Sequence, residues 1–236
     1  MEEKKDYRKE LFYEKKNGYD SMDAAAREAM EAYCEGYKAY LNDSRTEREA
    51  VANAIRLAER EGFVEYRAGM ELKAGDKVWF NNRGKALMLA VAGKKPLSEG
   101  AVVAAAHVDA PRLDLKQTPL YEDNELAFFK THYYGGIKKY QWTAIPLELH
   151  GVVATKDGEV IEVVIGREKD DPQFVISDLL PHLAADQMKK TLAEGVTGEG
   201  LNILIGSAPY ADEGADRVKL AVMSILNSRY DITEED

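Results

Sequence analysis

Two uninterrupted apolar runs most constrain how this chain can fold. Ala86-Leu87-Met88-Leu89-Ala90-Val91-Ala92 and Ala101-Val102-Val103-Ala104-Ala105-Ala106 carry no polar residue on either face. A half-buried strand alternates, so continuous runs bounded by turn residues suit strands covered on both sides, as in an α/β sheet. Lys77-Val78-Trp79-Phe80, after the Gly75-Asp76 turn, reads as a neighbouring strand. Both runs are far too short to span a bilayer.

Such strands need helices over them, and the first third supplies two. Ala26, Met30, Tyr33, Tyr37 and Tyr40 recur at helical spacing between about Asp23 and Leu41. Ser44 and Glu47 have the spacing of a capping box, which opens a second helix. Val51, Ile55 and Ala58 form its apolar stripe, and Gly62 is its expected stop. Cys34 lies in the first helical pattern and is expected to be buried rather than nucleophilic.

The second half has a different texture. Phe128, Phe129, Tyr133, Tyr134, Tyr140 and Trp142 surround Gly135-Gly136, which reads as a turn or bulge between aromatic-rich strands. The runs 152–155 and 160–165 flank Lys156-Asp157-Gly158-Glu159, a hairpin signal. A helix is expected from about Asp178 to Glu194, with Leu179, Leu180, Leu183, Met188 and Leu192 apolar and Pro181 in its first turn. Leu201 to Ile205 reads as a strand and Arg217 to Asn227 as a helix. The change near residue 118, from parallel-type strands to hairpins, marks a domain change. At 236 residues, one large or two modest domains are expected.

Charge narrows the function classes. The chain has 42 acidic and 32 basic residues, a net charge of -10. This disfavours nucleic acid and anionic membrane surfaces, which demand clustered cations. One cysteine forms no intrachain disulfide, and no apolar segment stands behind Met1–Asp6 to make a leader. These features fit a cytoplasmic protein. Glu234-Glu235-Asp236 reads as solvated charge.

The most chemical spot is His107-Val108-Asp109, expected at a strand end. Residues i and i+2 of an extended segment share a face. A carboxylate beside an imidazole can fix its tautomer and leave the other ring nitrogen for a metal. The same pair also serves as a plain hydrogen bond with no metal, and a zinc site needs three or four ligands. His132, His150 and His182 lie beside apolar residues and read first as packed or hydrogen-bonded side chains. Dinucleotide, Walker, zincin and serine-hydrolase motifs are absent from the sequence.

The segment Ala106-His107-Val108-Asp109-Ala110-Pro111-Arg112-Leu113-Asp114-Leu115-Lys116 resembles the first metal-ligand segment of the aspartyl-aminopeptidase family of zinc metallo-aminopeptidases. The resemblance continues through Thr131-His132-Tyr133-Tyr134-Gly135-Gly136-Ile137-Lys138-Lys139-Tyr140-Gln141-Trp142. It extends to Ile145-Pro146-Leu147, His150-Gly151-Val152-Val153, Asp178-Leu179-Leu180-Pro181-His182-Leu183, Leu201-Asn202-Ile203-Leu204 and Tyr230 to Asp236.

The resemblance implies an α/β catalytic domain carrying two zinc ions, with a largely β dimerisation domain inserted into it. Residues 1–117 would be the N-terminal part of the catalytic domain, 118–230 the inserted domain, and 231–236 the start of the return. His107 would bind zinc and Asp109 would be its carboxylate partner. His182 would reach the active site of a neighbouring subunit in a homo-oligomer, a dimer-based dodecamer, while His132 and His150 stay structural. The substrate would be a peptide N-terminus, acidic or sometimes neutral residues being favoured. The remaining metal ligands would lie beyond Asp236, so this polypeptide is expected to be inactive by itself. The competing expectation is a non-catalytic assembly module of a larger peptidase complex.

Overall fold

The structure, a computed structural model, describes residues 7–236. Met1–Asp6, the start of the expected leaderless N-terminus, lie outside the described residues. The chain mixes helix and strand in an α/β arrangement and divides into two compact units, residues 1–101 and 102–236. Residue 118, where the sequence changes texture, falls inside a strand of the second unit.

The first unit contains helices α1 (Tyr7–Leu11), α2 (Ala24–Asn42) and α3 (Glu47–Arg60), then strands β1 (Val64–Glu65), β2 (Lys77–Asn82) and β3 (Ala86–Val91). Asp23 caps α2 by accepting from the Ala26 amide at 2.8 Å. The capping box of α3 is Thr46 with Glu49, two residues later than the expected Ser44 and Glu47. Ser44 instead accepts a hydrogen bond from the Asn53 amide group at 3.0 Å, so its hydroxyl braces the loop. Ala50, Val51 and Ala58 are the buried face of α3, and Gly62 ends it with φ 84. No described side chain of α2 is buried, so Cys34 is exposed, contrary to expectation. Of its helical stripe, Met30 and Tyr40 are half-buried, the Tyr40 hydroxyl donating to the Ala50 carbonyl at 3.2 Å, while Tyr33 and Tyr37 are exposed.

The sheet of this unit runs β1-β2-β3, with β1 parallel and β3 antiparallel to β2. The Ala86 run forms the expected strand but is not covered on both faces. Met88, Leu89 and Val91 are exposed. The second apolar run, 101–106, forms no strand, and Val102 and Val103 are exposed. A strand is held by ladder hydrogen bonds, and among the described residues nothing pairs with this run.

The second unit holds two antiparallel systems. Strands β4 (Arg112–Asp123), β5 (Leu126–Tyr134) and β8 (Ile203–Gly206) form one sheet in the order β4-β5-β8. Strands β6 (Leu149–Ala154) and β7 (Val160–Ile165) form the expected hairpin around Lys156 to Glu159. Helix α4 (Arg217–Tyr230) packs on the β4-β5-β8 sheet. Gly206 makes close approach possible, because a Cβ there would lie 3.1 Å from Val222 Cγ2. The core gathers Leu120, Phe129, Ile165, Ile176, Leu201 and Val218 with Ile232 from the end of the chain.

Two further expectations are corrected. Residues 178–194 form turns and a short 3-10 segment (Gln187–Lys189), not a helix. Leu179, Leu180, Leu183, Met188 and Leu192 are all exposed, and without a surface to bury them the helical stripe has nothing to stabilise it. Gly135, at φ 79, ends β5 instead of joining two strands, and Tyr140 and Trp142 follow in a 3-10 turn. The terminal acids are not merely solvated: Glu235 pairs with Lys156 at 2.8 Å, Glu234 with Lys219, and Asp236 accepts the Lys156 amide at 3.1 Å.

Candidate metal-ligand segment

His107 and Asp109 lie in the irregular segment that leads into β4, not at a strand end. A local loop nevertheless joins them. His107 Nδ1 lies 2.9 Å from the Asp109 carbonyl oxygen and 3.1 Å from Asp109 Oδ1. Both partners are acceptors only, so Nδ1 must carry the proton and donate. The neutral ring then holds its lone pair on Nε2, the form in which an imidazole binds metal. The His107 side chain is 83% exposed, so that nitrogen is open to a ligand.

The loop is tied to the sheet through Asp109. The Tyr134 hydroxyl, at the end of β5, donates to Asp109 Oδ2 at 2.8 Å. This bond is the chief cause that holds the Asp109 carboxyl below the ordinary carboxylate range; the Asp109 amide and His107 add to it, and partial desolvation opposes it. Tyr134 is itself placed by register, directly across from Arg112 on β4. The Arg112 guanidinium stacks over its ring at 4.2 Å and donates through Nε to Asp114 at 2.7 Å. Gly135 packs against Pro111, 3.5 Å from where its Cβ would stand, so the turn after β5 rests on the segment that carries Asp109.

The donor set fits one zinc ligand position with its carboxylate partner. Among the described residues, no three His, Cys, Asp or Glu side chains gather into a group that could hold a metal ion. The other histidines stand apart. His150 is almost buried and donates through Nε2 to Glu148 at 2.8 Å, and His132 faces Asp114 across the β4–β5 ladder. His182 is exposed, in a turn where the Leu180 carbonyl accepts from Leu183 at 2.8 Å. Asp178 tethers that turn, accepting from Gln187 at 2.9 Å and from the Leu179 amide at 2.8 Å, beside a cavity of about 230 Å³. No hydrogen bond or ion pair among the described residues links His182 to His107 or Asp109.

Sequence reading missed Tyr134 and Arg112. The signal was present as register, since pairing the 112–123 and 126–134 strands around their turn sets these two residues opposite each other. Neither composition nor spacing along one strand discloses it.

A family model described as aminopeptidase I zinc metalloprotease (M18) matches residues 40–236. A probable M18 family aminopeptidase 1 of Clostridium acetobutylicum is 47% identical over 232 residues, which are 96% of this chain and 50% of the relative. The crystal structure of an M18 aminopeptidase from Thermotoga maritima superposes with a TM-score of 0.86 at 41% identity, over 95% of this chain and 49% of that one. The mApe1 dodecamer of S. cerevisiae shares the fold, with a TM-score of 0.59 at 14% identity over 88% of this chain and 46% of that one. The chain thus spans about half the length of the curated relatives it matches.

Proposed function

This chain belongs to the M18 family of zinc metalloproteases, and we propose that it contributes one zinc ligand, His107, to an aminopeptidase that hydrolyses residues from peptide N-termini. The observation that carries the reading is the hydrogen bonding of His107, with Nδ1 spent on Asp109 and Nε2 open. Asp109 acts on the ring and not on substrate: it fixes the tautomer and makes the imidazole a better donor to metal. Zinc, when bound, supplies Lewis-acid polarisation of the scissile carbonyl and a lowered pKa for the attacking water.

The finer reading follows the family pattern. Two zinc ions would work together, and the further ligands would come from outside these residues, so the 236-residue chain alone is proposed to be inactive. Acidic N-terminal residues would be favoured. The segment 118–230 would be the inserted dimerisation domain, and the chain would work as a cytoplasmic homo-oligomer. His182 would reach a neighbouring subunit's active site. Its exposure in a tethered turn, and the dodecameric assembly of the yeast protein, support that reading. Among the described residues no helix is long and apolar enough to cross a membrane.

The test is complementation. The chain is co-expressed with the part of the C. acetobutylicum relative that it does not cover, then assayed with zinc on aminoacyl p-nitroanilides. Cleavage should appear, favour glutamyl and aspartyl substrates, and vanish with His107→Ala. Cleavage that survives His107→Ala would falsify the ligand assignment.

A second reading is a non-catalytic assembly module. The second unit has its own core, yet Leu180, Leu183, Met188 and Leu192 lie bare on it. Exposed apolar clusters mark association surfaces. Sedimentation of the full chain decides: a monomer at micromolar concentration argues against this reading.

A further inference from the structure

A metal ligand on an irregular, exposed segment must be oriented by something more rigid than the segment itself. Residues 101–111 form no ladder among the described residues, and the His107 side chain is largely exposed. Among the described residues its hydrogen-bonded neighbour is Asp109, which lies on the same loop. A carboxylate on the same irregular segment needs a hold of its own to orient the ring. The anchor must come from the sheet, and a single side chain provides it. The Tyr134 hydroxyl reaches Asp109 Oδ2 at 2.8 Å from the end of β5, across 25 residues of sequence.

We propose that Tyr134 is the positioning residue for His107: its hydroxyl holds Asp109, and Asp109 so held keeps the proton on Nδ1 and the Nε2 lone pair of His107 open for metal. The inference rests on the reading of His107 as a zinc ligand. Several features make Tyr134 suited to the task. The ladder pairs its backbone with Arg112, and Arg112 stacks on its ring at 4.2 Å while bound to Asp114. A cation over the ring face is attracted to it and helps hold the ring in place. Oδ2 goes to Tyr134 and Oδ1 to His107, so one carboxylate transmits the sheet's position to the imidazole without sharing an oxygen. Phenylalanine at 134 would keep the ring, the stack and the ladder and remove the hydroxyl that anchors Asp109.

The experiment reads the tautomer, not activity. Nitrogen-15 histidine-labelled chain is studied by long-range proton–nitrogen correlation at about pH 8.5, above the ordinary imidazole range. Metal-free protein should show His107 as the Nδ1–H form, and Tyr134→Phe should turn it into a mixture with the Nε2–H form. Asp109→Ala, which removes the acceptor of the hydroxyl, should shift it at least as far. Amide signals of β5 check that the sheet persists. Titration with zinc alone should perturb the His107 Nε2 signal, with about 10-fold weaker affinity in Tyr134→Phe, the range seen when such outer partners are lost. A wild-type tautomer in Tyr134→Phe overturns the proposal while leaving the zinc reading intact. Zinc that leaves His107 unperturbed in the unsubstituted chain overturns the zinc reading, and the tautomer comparison still judges Tyr134.

Discussion

The Glu122 carboxylate, on β4, accepts the backbone amides of both Val218 and Lys219 at 2.8 Å. Helix α4 therefore receives its N-terminal cap from a strand 96 residues earlier in the chain. Asp216, the residue in the local cap position, is left-handed at φ 55 and makes no capping hydrogen bond. The negative charge also sits where the helix dipole favours it.

That relationship sets the first prediction. Glu122→Ala should cost about 1–2 kcal/mol of unfolding free energy, because it strips two amides of their acceptor next to a fully buried Val218. Glu122→Gln should recover part of it, since an amide oxygen still accepts. Urea midpoints of the three proteins check this, and equal midpoints would show that water caps α4 as well as the carboxylate does.

Thr131 is buried in β5, and its hydroxyl donates to the carbonyl of Leu201, which has no exposed surface. Thr131→Val keeps the shape and removes the donor. It should destabilise by about 1–3 kcal/mol, the cost of a buried carbonyl left unpaired. Thr131→Ser should keep most of the stability. Thermal unfolding of both variants separates the hydroxyl from the methyl group.

Stability should fall in acid through Asp171. Its carboxyl is held below the usual carboxylate range, first by the hydrogen bond from Arg229 at 2.8 Å and then by the amides of Glu168 and Gly166. The unfolded chain takes up this proton first as pH falls. The stabilisation is therefore whole above about pH 4, the unfolded carboxyl value, and is lost as pH drops through the lower folded value. Asp171→Asn should be less stable at neutral pH and show a shallower acid limb. A limb of unchanged slope would assign the acid sensitivity to other carboxylates, Asp178 and Asp236 among them.

Cys34 should react with a maleimide in native buffer, since it lies exposed on α2. One adduct by mass, with no change in unfolding midpoint, is the expected result. Labelling that requires denaturant would return Cys34 to the buried position its helical pattern suggested.

What was legible in the sequence was whatever neighbouring residues settle among themselves. Val51 and Ala58 of the expected α3 stripe are buried and Ile55 is half-buried; these, the stop at Gly62 and the β6–β7 hairpin around Lys156 to Glu159 are readable because turn chemistry and periodicity act within a few residues. The sequence does not separate two capping boxes, because Ser44 and Thr46 both offer a hydroxyl three residues before a glutamate. Only packing decided that Ser44 would serve Asn53.

His107 and Asp109 were legible as a pair for the same reason, being two residues apart on one short segment. Their environment was not. A pattern of apolar residues states which side of an element could be buried, and burial needs an opposing surface made by residues distant in sequence. The 101–106 run had the pattern of a covered strand, and residues 179–192 had that of a helix, yet neither has such a surface among the described residues. Glu122 on α4 and Tyr134 on Asp109 are contacts that exist only once strand register and chain path have brought them within hydrogen-bonding distance. The chemistry of the imidazole was written in its own sequence neighbourhood, and tertiary structure decided what holds it.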